Sequence, residues 1–228
     1  MFWSFCSPKG GVGTSVVAAS VAAESASTRS TLVVDFGGDM AQILGVDTDG
    51  RQGVGDWLAA SADVGPESLE NLEIEVSPNL ALVPSGGPSS PNVPIERVVQ
   101  LVRGLHANAR CVIADVGTLT NESDPGAIVC VSGDRTTCVI RACYLALRRL
   151  SQLPVTFDDI VEIEEPGRAL RTIDIEAVAG MPVSARIPLD PAIARAVDAG
   201  LLNRRLPRSL RRNARALLTN GQSVEVAA

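Results

Sequence analysis

The stretch that most constrains this chain runs from Phe2 to Ala26, FWSFCS-PKGGVGTS-VVAASVAAESA. An apolar β-rich run is followed by a loop carrying Gly10, Gly11 and Gly13, then by an alanine- and valine-rich run of helical length. Glycines let the backbone turn successive N–H groups inward around phosphate oxygens, and the N-terminus of the next helix adds its dipole. A glycine-rich loop alone says little. Between a strand and a helix it predicts a phosphate site.

The rest of the chain repeats that alternation. Strand-like runs occur at 2–7, 31–35, 80–84, 111–115, 127–132 (AIVCVS), 158–164 and 182–188, and several lack period-two alternation, as strands buried on both faces of a parallel sheet do. Helical patterns lie between them at about 15–27, 53–60, 94–107, 135–150, 172–179 and 190–198. The series predicts an α/β fold, a doubly wound, mostly parallel sheet with helices on both faces. With 228 residues the expectation is one domain over 1–218 and a flexible tail over 219–228, with SGGPSSPNVP (85–94) a loop rather than a linker.

Several function classes lose support here. No stretch approaches the roughly 18 uncharged apolar residues of a spanning helix, and no signal peptide is visible, so a cytoplasmic protein is expected. The 5 cysteines show no CxxC spacing and read as buried reduced thiols, with Cys6, Cys111 and Cys130 in strand-like runs. His106, the only histidine, sits near a helix end with no clustered acid or thiol, which speaks against a metal or histidine-based site. A net charge of -6 argues against nucleic-acid binding by the whole surface.

KGGVGTS resembles the deviant Walker A motif, KGGxGK[ST], of the ParA/MinD family of dimeric P-loop ATPases. Lys9 falls on the signature lysine, Gly10, Gly11 and Gly13 on the glycines, and Ser15 on the magnesium-binding hydroxyl. Of 20 basic residues Lys9 alone is a lysine, and a compact ammonium suits a crowded phosphate site. TLVVDFGGDMAQILGV is similar to the family's second strand and switch I, with Asp35 at the strand end. CVIADVG is similar to the Walker B strand and switch II. IPLDPAIARAVDAGLL (187–202) is similar to the segment whose backbone, near Pro188, lies by the purine. Within the family, GDMAQILGVD and RACYLALRRL are nearest to CpaE/TadZ-like and other MinD-like actinobacterial proteins.

The resemblance implies ATP and Mg2+ as cofactors. Nucleotide binding would fall to Lys9, Gly10, Gly11, Val12, Gly13, Thr14, Ser15, Gly117 and Pro188, metal binding to Ser15 and Asp115, and catalytic roles to Lys9 and Asp35. It further implies a nucleotide-linked homodimer in which Lys9 reaches the partner's nucleotide, and protein partners in a positioning, division or pilus system.

Two positions depart from the family. Thr14 stands where the second loop lysine belongs, and Gly37 where switch I usually carries a second acid, with Asp39 two residues further on. A charge-assisted contact to the phosphates is worth roughly 1.5 to 3 kcal/mol, so binding is expected to weaken while hydrolysis suffers more. The alternative is a scaffold that binds no nucleotide. The segment Arg204 to Arg215 holds six arginines and no acid, and LPRSLRRNARALL (206–218) has an apolar helical face. Three readings stay open for it: packing on the domain, an anionic membrane at the inner face, or DNA phosphates.

Overall fold

The computed structural model describes residues 1–87, 93–119 and 124–225, with side chains described through Thr219. Residues 88–92 of the expected loop and 226–228 of the expected tail lie outside the described residues.

The elements in order are β1 (Phe2–Ser7), α1 (Thr14–Ser25), β2 (Thr31–Asp35), α2 (Met40–Leu44), α3 (Val54–Ala59), a 3-10 turn at Pro66–Leu72, β3 (Ile74–Ser77), β4 (Leu80–Val83) and α4 (Ile95–Ala107). There follow β5 (Cys111–Thr118), α5 (Pro125–Ser132), β6 (Arg135–Ile140), α6 (Tyr144–Leu150), β7 (Asp159–Glu164), α7 (Thr172–Ala179), β8 (Ala185–Pro188), α8 (Pro191–Asp198) and α9 (Arg208–Glu225). The strands form one eight-stranded sheet in the order β3-β4-β2-β5-β1-β6-β7-β8. All pairings are parallel except β3 with β4. The expected doubly wound α/β architecture is the one observed. Strand β1, in the middle, is buried along its whole length, its two serines included, as a central parallel strand covered on both faces must be.

Three expectations are corrected. AIVCVS is not a strand: it lies in α5, where the Asp124 carboxylate accepts from the Gly126 N–H and Pro125 takes the first helical turn. Consequently Cys130 sits in a helix. The adjoining stretch 135–150 is not one helix. Its first part, RTTCVI, is rich in β-branched residues and is the strand β6, held between β1 and β7, and the helix starts only at Tyr144. His106 does have an acid beside it, since its Nδ1 lies 3.7 Å from Asp134 Oδ1 and its Nε2 2.6 Å from the Ser132 carbonyl oxygen. Among the described residues no group of three metal-binding side chains forms. All five cysteines are free thiols, and four are buried.

One sheet face is covered by α1, α2 and α9, the other by α3, α4 and α5, with α6 and α7 over the far edge. Of the three readings for the arginine segment, the structure shows packing for its apolar face. Leu206, Leu210, Ala214 and Leu217 are buried against the core, while Arg211 and Arg215 pair with Glu24 on α1. Each leucine buried this way contributes about 1.5–3 kcal/mol. Arg204, Arg205, Arg208 and Arg212 remain exposed. No helix among the described residues is long and apolar enough to cross a membrane.

Candidate functional site: a phosphate cradle at the strand ends

In an open α/β sheet ligands sit beyond the carboxyl ends of the strands, and here β1, β2 and β5 deliver their last residues to one place. Strand β1 runs into the glycine loop. Gly11 and Gly13 adopt left-handed φ of 72° and 105°, which a residue with a Cβ resists, and Gly13 closes the loop by capping α1. A Cβ on Gly11 would meet nothing within 4 Å, so Gly11 stands clear of the rest of the fold. Val12 turns the other way and is buried in the core. Thr14 begins α1 and is only 6% exposed. It offers a hydroxyl and no charge.

The second contribution comes from register. Asp35 and Asp115 are directly paired across β2 and β5, which sets two buried carboxylates side by side. They have different duties. Asp35 accepts from the backbone N–H of Gly38 (2.7 Å) and of Met40 (3.1 Å), so both its oxygens are spent on shaping the switch I turn into α2. Burial pushes its carboxyl up, and those N–H groups pull the other way. Asp115 accepts from the Gly117 N–H at 3.2 Å through Oδ1 alone. Its Oδ2 is buried without a hydrogen-bond partner. Burial drives this carboxyl up to about 7; the nearby Ser15 hydroxyl favours the charged form, and the charge on Asp35 opposes it.

Gly37 shows where these groups converge. A Cβ built on it would lie 3.4 Å from Asp115 Oδ2, 3.7 Å from Asp35 Oδ1 and 3.7 Å from Ser15 Oγ. Three oxygens from three elements thus surround one small space beside Gly37. Gly117, at φ 71°, packs so closely that its own Cβ would come 3.3 Å from the Gly37 Cα. The two switch segments therefore touch through glycines. An orphaned buried carboxylate oxygen beside a hydroxyl suits Mg2+, which keeps waters and phosphate oxygens as its other ligands and needs no all-protein cage.

Above these groups opens a cleft of about 950 Å³. Of the residues expected to bind nucleotide, Gly10, Gly11, Gly13, Thr14, Ser15 and Gly117 line it. Asp35 and Asp115 lie beneath its floor. Pro188 does not line it. Pro188 borders a second recess of about 450 Å³, together with Glu162, Glu165 and Thr172. Lys9 is half-buried and lines neither. Its charge is felt at Glu165, whose carboxyl is held below the usual range first by Arg168 and then by Arg141 and Lys9.

Two cleft residues had no role in the sequence reading. Thr118 approaches the loop so closely that a Cβ on Gly10 would lie 3.3 Å from its Oγ1. Arg141 leaves the sheet at the end of β6. A signal for it exists, since it directly follows the β-branched run TTCVI, but the pattern over 135–150 reads as helix. Asp39, the displaced acid of switch I, does line the cleft.

No protein-family model and no curated protein matches the chain by sequence. Solved structures do match by fold. A ParA family ATPase from Chlorobium tepidum superimposes with a TM-score of 0.76 at 27% identity, over 94% of this chain and 96% of that one. The septum site-determining protein MinD from Pyrococcus horikoshii, solved with Mg-ADP, gives a TM-score of 0.76 at 18% identity over 99% and 98%. The MinC:MinD cell division complex from Aquifex aeolicus gives 0.74 at 17% identity over 95% of each chain. The fold is that of the ParA and MinD ATPases.

Proposed function

We propose that this chain is an ATP- and Mg2+-binding protein of the ParA/MinD type, in which the bound nucleotide acts as a switch and is hydrolysed slowly. The observation that carries the reading is Asp115 Oδ2, buried and unpartnered beside Ser15, next to a glycine loop that lines the cleft. Ser15 and Asp115 would hold the metal, and the N–H groups from Gly10 to Ser15 would cradle the phosphates. Mg2+ would supply charge neutralisation between phosphate oxygens. What the chain itself does is bind and orient: Gly117 brings switch II against switch I, and Asp35 fixes the switch I turn by holding the Gly38 and Met40 N–H groups. Neither Thr14 nor Gly37 contributes the side-chain charge that hydrolysis draws on.

The same reading makes the chain a nucleotide-linked homodimer, with Lys9, outside its own cleft, free to act at a partner's nucleotide. It places the chain in the cytoplasm, or at the inner membrane face through the exposed Arg204, Arg205, Arg208 and Arg212. It assigns protein partners in division, partitioning or pilus machinery, close to the CpaE/TadZ-like group. Calorimetric titration of Mg-ATP into the full chain tests it, with sedimentation velocity in ATP and ADP for the dimer. Saturable heat with a raised melting temperature is expected. No heat and no shift would overturn it in favour of the nucleotide-free scaffold.

A further inference from the structure

Resting on the nucleotide reading above, we propose that Arg141 supplies from the neighbouring strand the positive charge toward bound polyphosphate that Thr14 withholds from the loop. Among the described residues lining the cleft Arg141 is the only cation, and it shares the lining with Asp39, Asp124 and Asp198. A polyphosphate entering a cleft with this balance needs a positive side chain in addition to its metal. Thr14 offers none.

Position follows from register. Cys6 of β1 pairs with Cys138 of β6, so β6 emerges beside the strand that feeds the glycine loop, and Arg141 is the first residue beyond its end. Beneath the loop a Cβ on Gly13 would lie 3.8 Å from Ile163 of β7, which shows how closely the loop rests on this side of the sheet. Arg141 thus issues from the strand end next to the site where the loop lysine is lacking.

The guanidinium is also under-used. Its Nη1 stands 3.7 Å from Glu165 Oε2, too far for a hydrogen bond. Its Nε is buried with no partner. Glu165 does not depend on it, because Arg168 donates to the same Oε2 at 2.7 and 3.0 Å. Arg141 is therefore not needed to neutralise Glu165. A planar fork with unspent donors is the group that pairs best with phosphate oxygens.

The test is calorimetry of Mg-ATP with the full chain, comparing the wild type with Arg141→Ala, Arg141→Lys and Arg141→Gln, and repeating Arg141→Ala on a Thr14→Lys background. Arg141→Ala is expected to weaken binding about 10- to 100-fold, the range of a lost charge-assisted contact, and Arg141→Lys to recover part of it. On the Thr14→Lys background the same change should cost less than about 3-fold, because the loop again carries its own cation. Arg141→Gln keeps the length and removes the charge, so it decides the matter if Arg141→Ala melts early. If the wild type binds and Arg141→Gln binds equally well, or if the loss is undiminished on the Thr14→Lys background, the role of Arg141 is overturned and the nucleotide reading stands. If neither the wild type nor Thr14→Lys binds, both fall together.

Discussion

The glycine loop and the turn after β2 lie on opposite sides of Asp115, and each lacks a charged side chain that the resemblance implies, yet the two gaps are of different kinds. The loop is built from backbone: left-handed Gly11 and Gly13 and a helix start at Thr14 need no lysine side chain to form. Switch I works through side chains. Its acid, Asp35, has both oxygens engaged by the turn, and Gly37 places no side chain beside Asp115. A site built from peptide groups tolerates side-chain change, and a site built from carboxylates does not. The division predicts binding that outlasts turnover.

The largest effect that probes this division concerns Asp115. Its carboxyl titrates at about 7 in the folded chain against 3.8 when unfolded, so folding favours the protonated form. That stability is fully present below about pH 4 and is lost as pH rises through about 7, amounting to about 4 kcal/mol. Melting temperatures of the metal-free chain should fall across this window. Saturating Mg-ATP should flatten the slope by holding the carboxylate charged, and Asp115→Asn should remove most of the slope, leaving the share of the raised Asp35, and abolish the magnesium dependence. A flat profile in the metal-free wild type would break the comparison at its centre.

Next in size is Thr14→Lys, expected to tighten Mg-ATP about 10- to 150-fold, or roughly 1.5 to 3 kcal/mol, in the same calorimetric assay. An unchanged affinity would mean that the loop is no phosphate cradle. Gly37→Asp sets a further carboxylate beside the buried Asp115 oxygen, with its Cβ in ordinary contact at 3.4 Å, so like-charge crowding should lower the unfolding free energy by about 1–2 kcal/mol, and the change should not raise phosphate release even when combined with Thr14→Lys. A tenfold gain in release would show that switch I lacks only its acid. Smallest is Ser15→Ala, expected to weaken ATP by about 0.5–1.5 kcal/mol when Mg2+ is present and not at all in its absence.

Much of the cradle was legible because glycine spacing and strand order are written locally. Gly10, Gly11, Gly13, Ser15 and Asp115 were found from a few consecutive residues, and the structure brings them together. What escaped depends on neighbours far along the chain. AIVCVS and RTTCVI are both apolar and β-branched, and which becomes the strand is decided by the Asp124–Pro125 helix start and by the free edge of β1 that RTTCVI fills. Misreading that pair hid the end of β6 and with it Arg141. Pro188, assigned to the purine by the resemblance, borders a recess beside the cleft. The five-residue α2 and the edge strand β3 were missed because each is shorter than the window in which periodicity can be counted.

The pairing of α1 with α9 bears on how the protein is made. Glu24 and Arg215, which meet across that contact, stand 191 residues apart in sequence. The helix behind the glycine loop is therefore synthesised long before α9, and the side of it that meets α9 waits uncovered until α9 has been translated. During that interval its valines and alanines are exposed to chaperones and to other nascent chains. A loop resting on an unfinished helix has no firm base, so the strand ends around it settle late in synthesis, after nearly all of the sheet has been laid down.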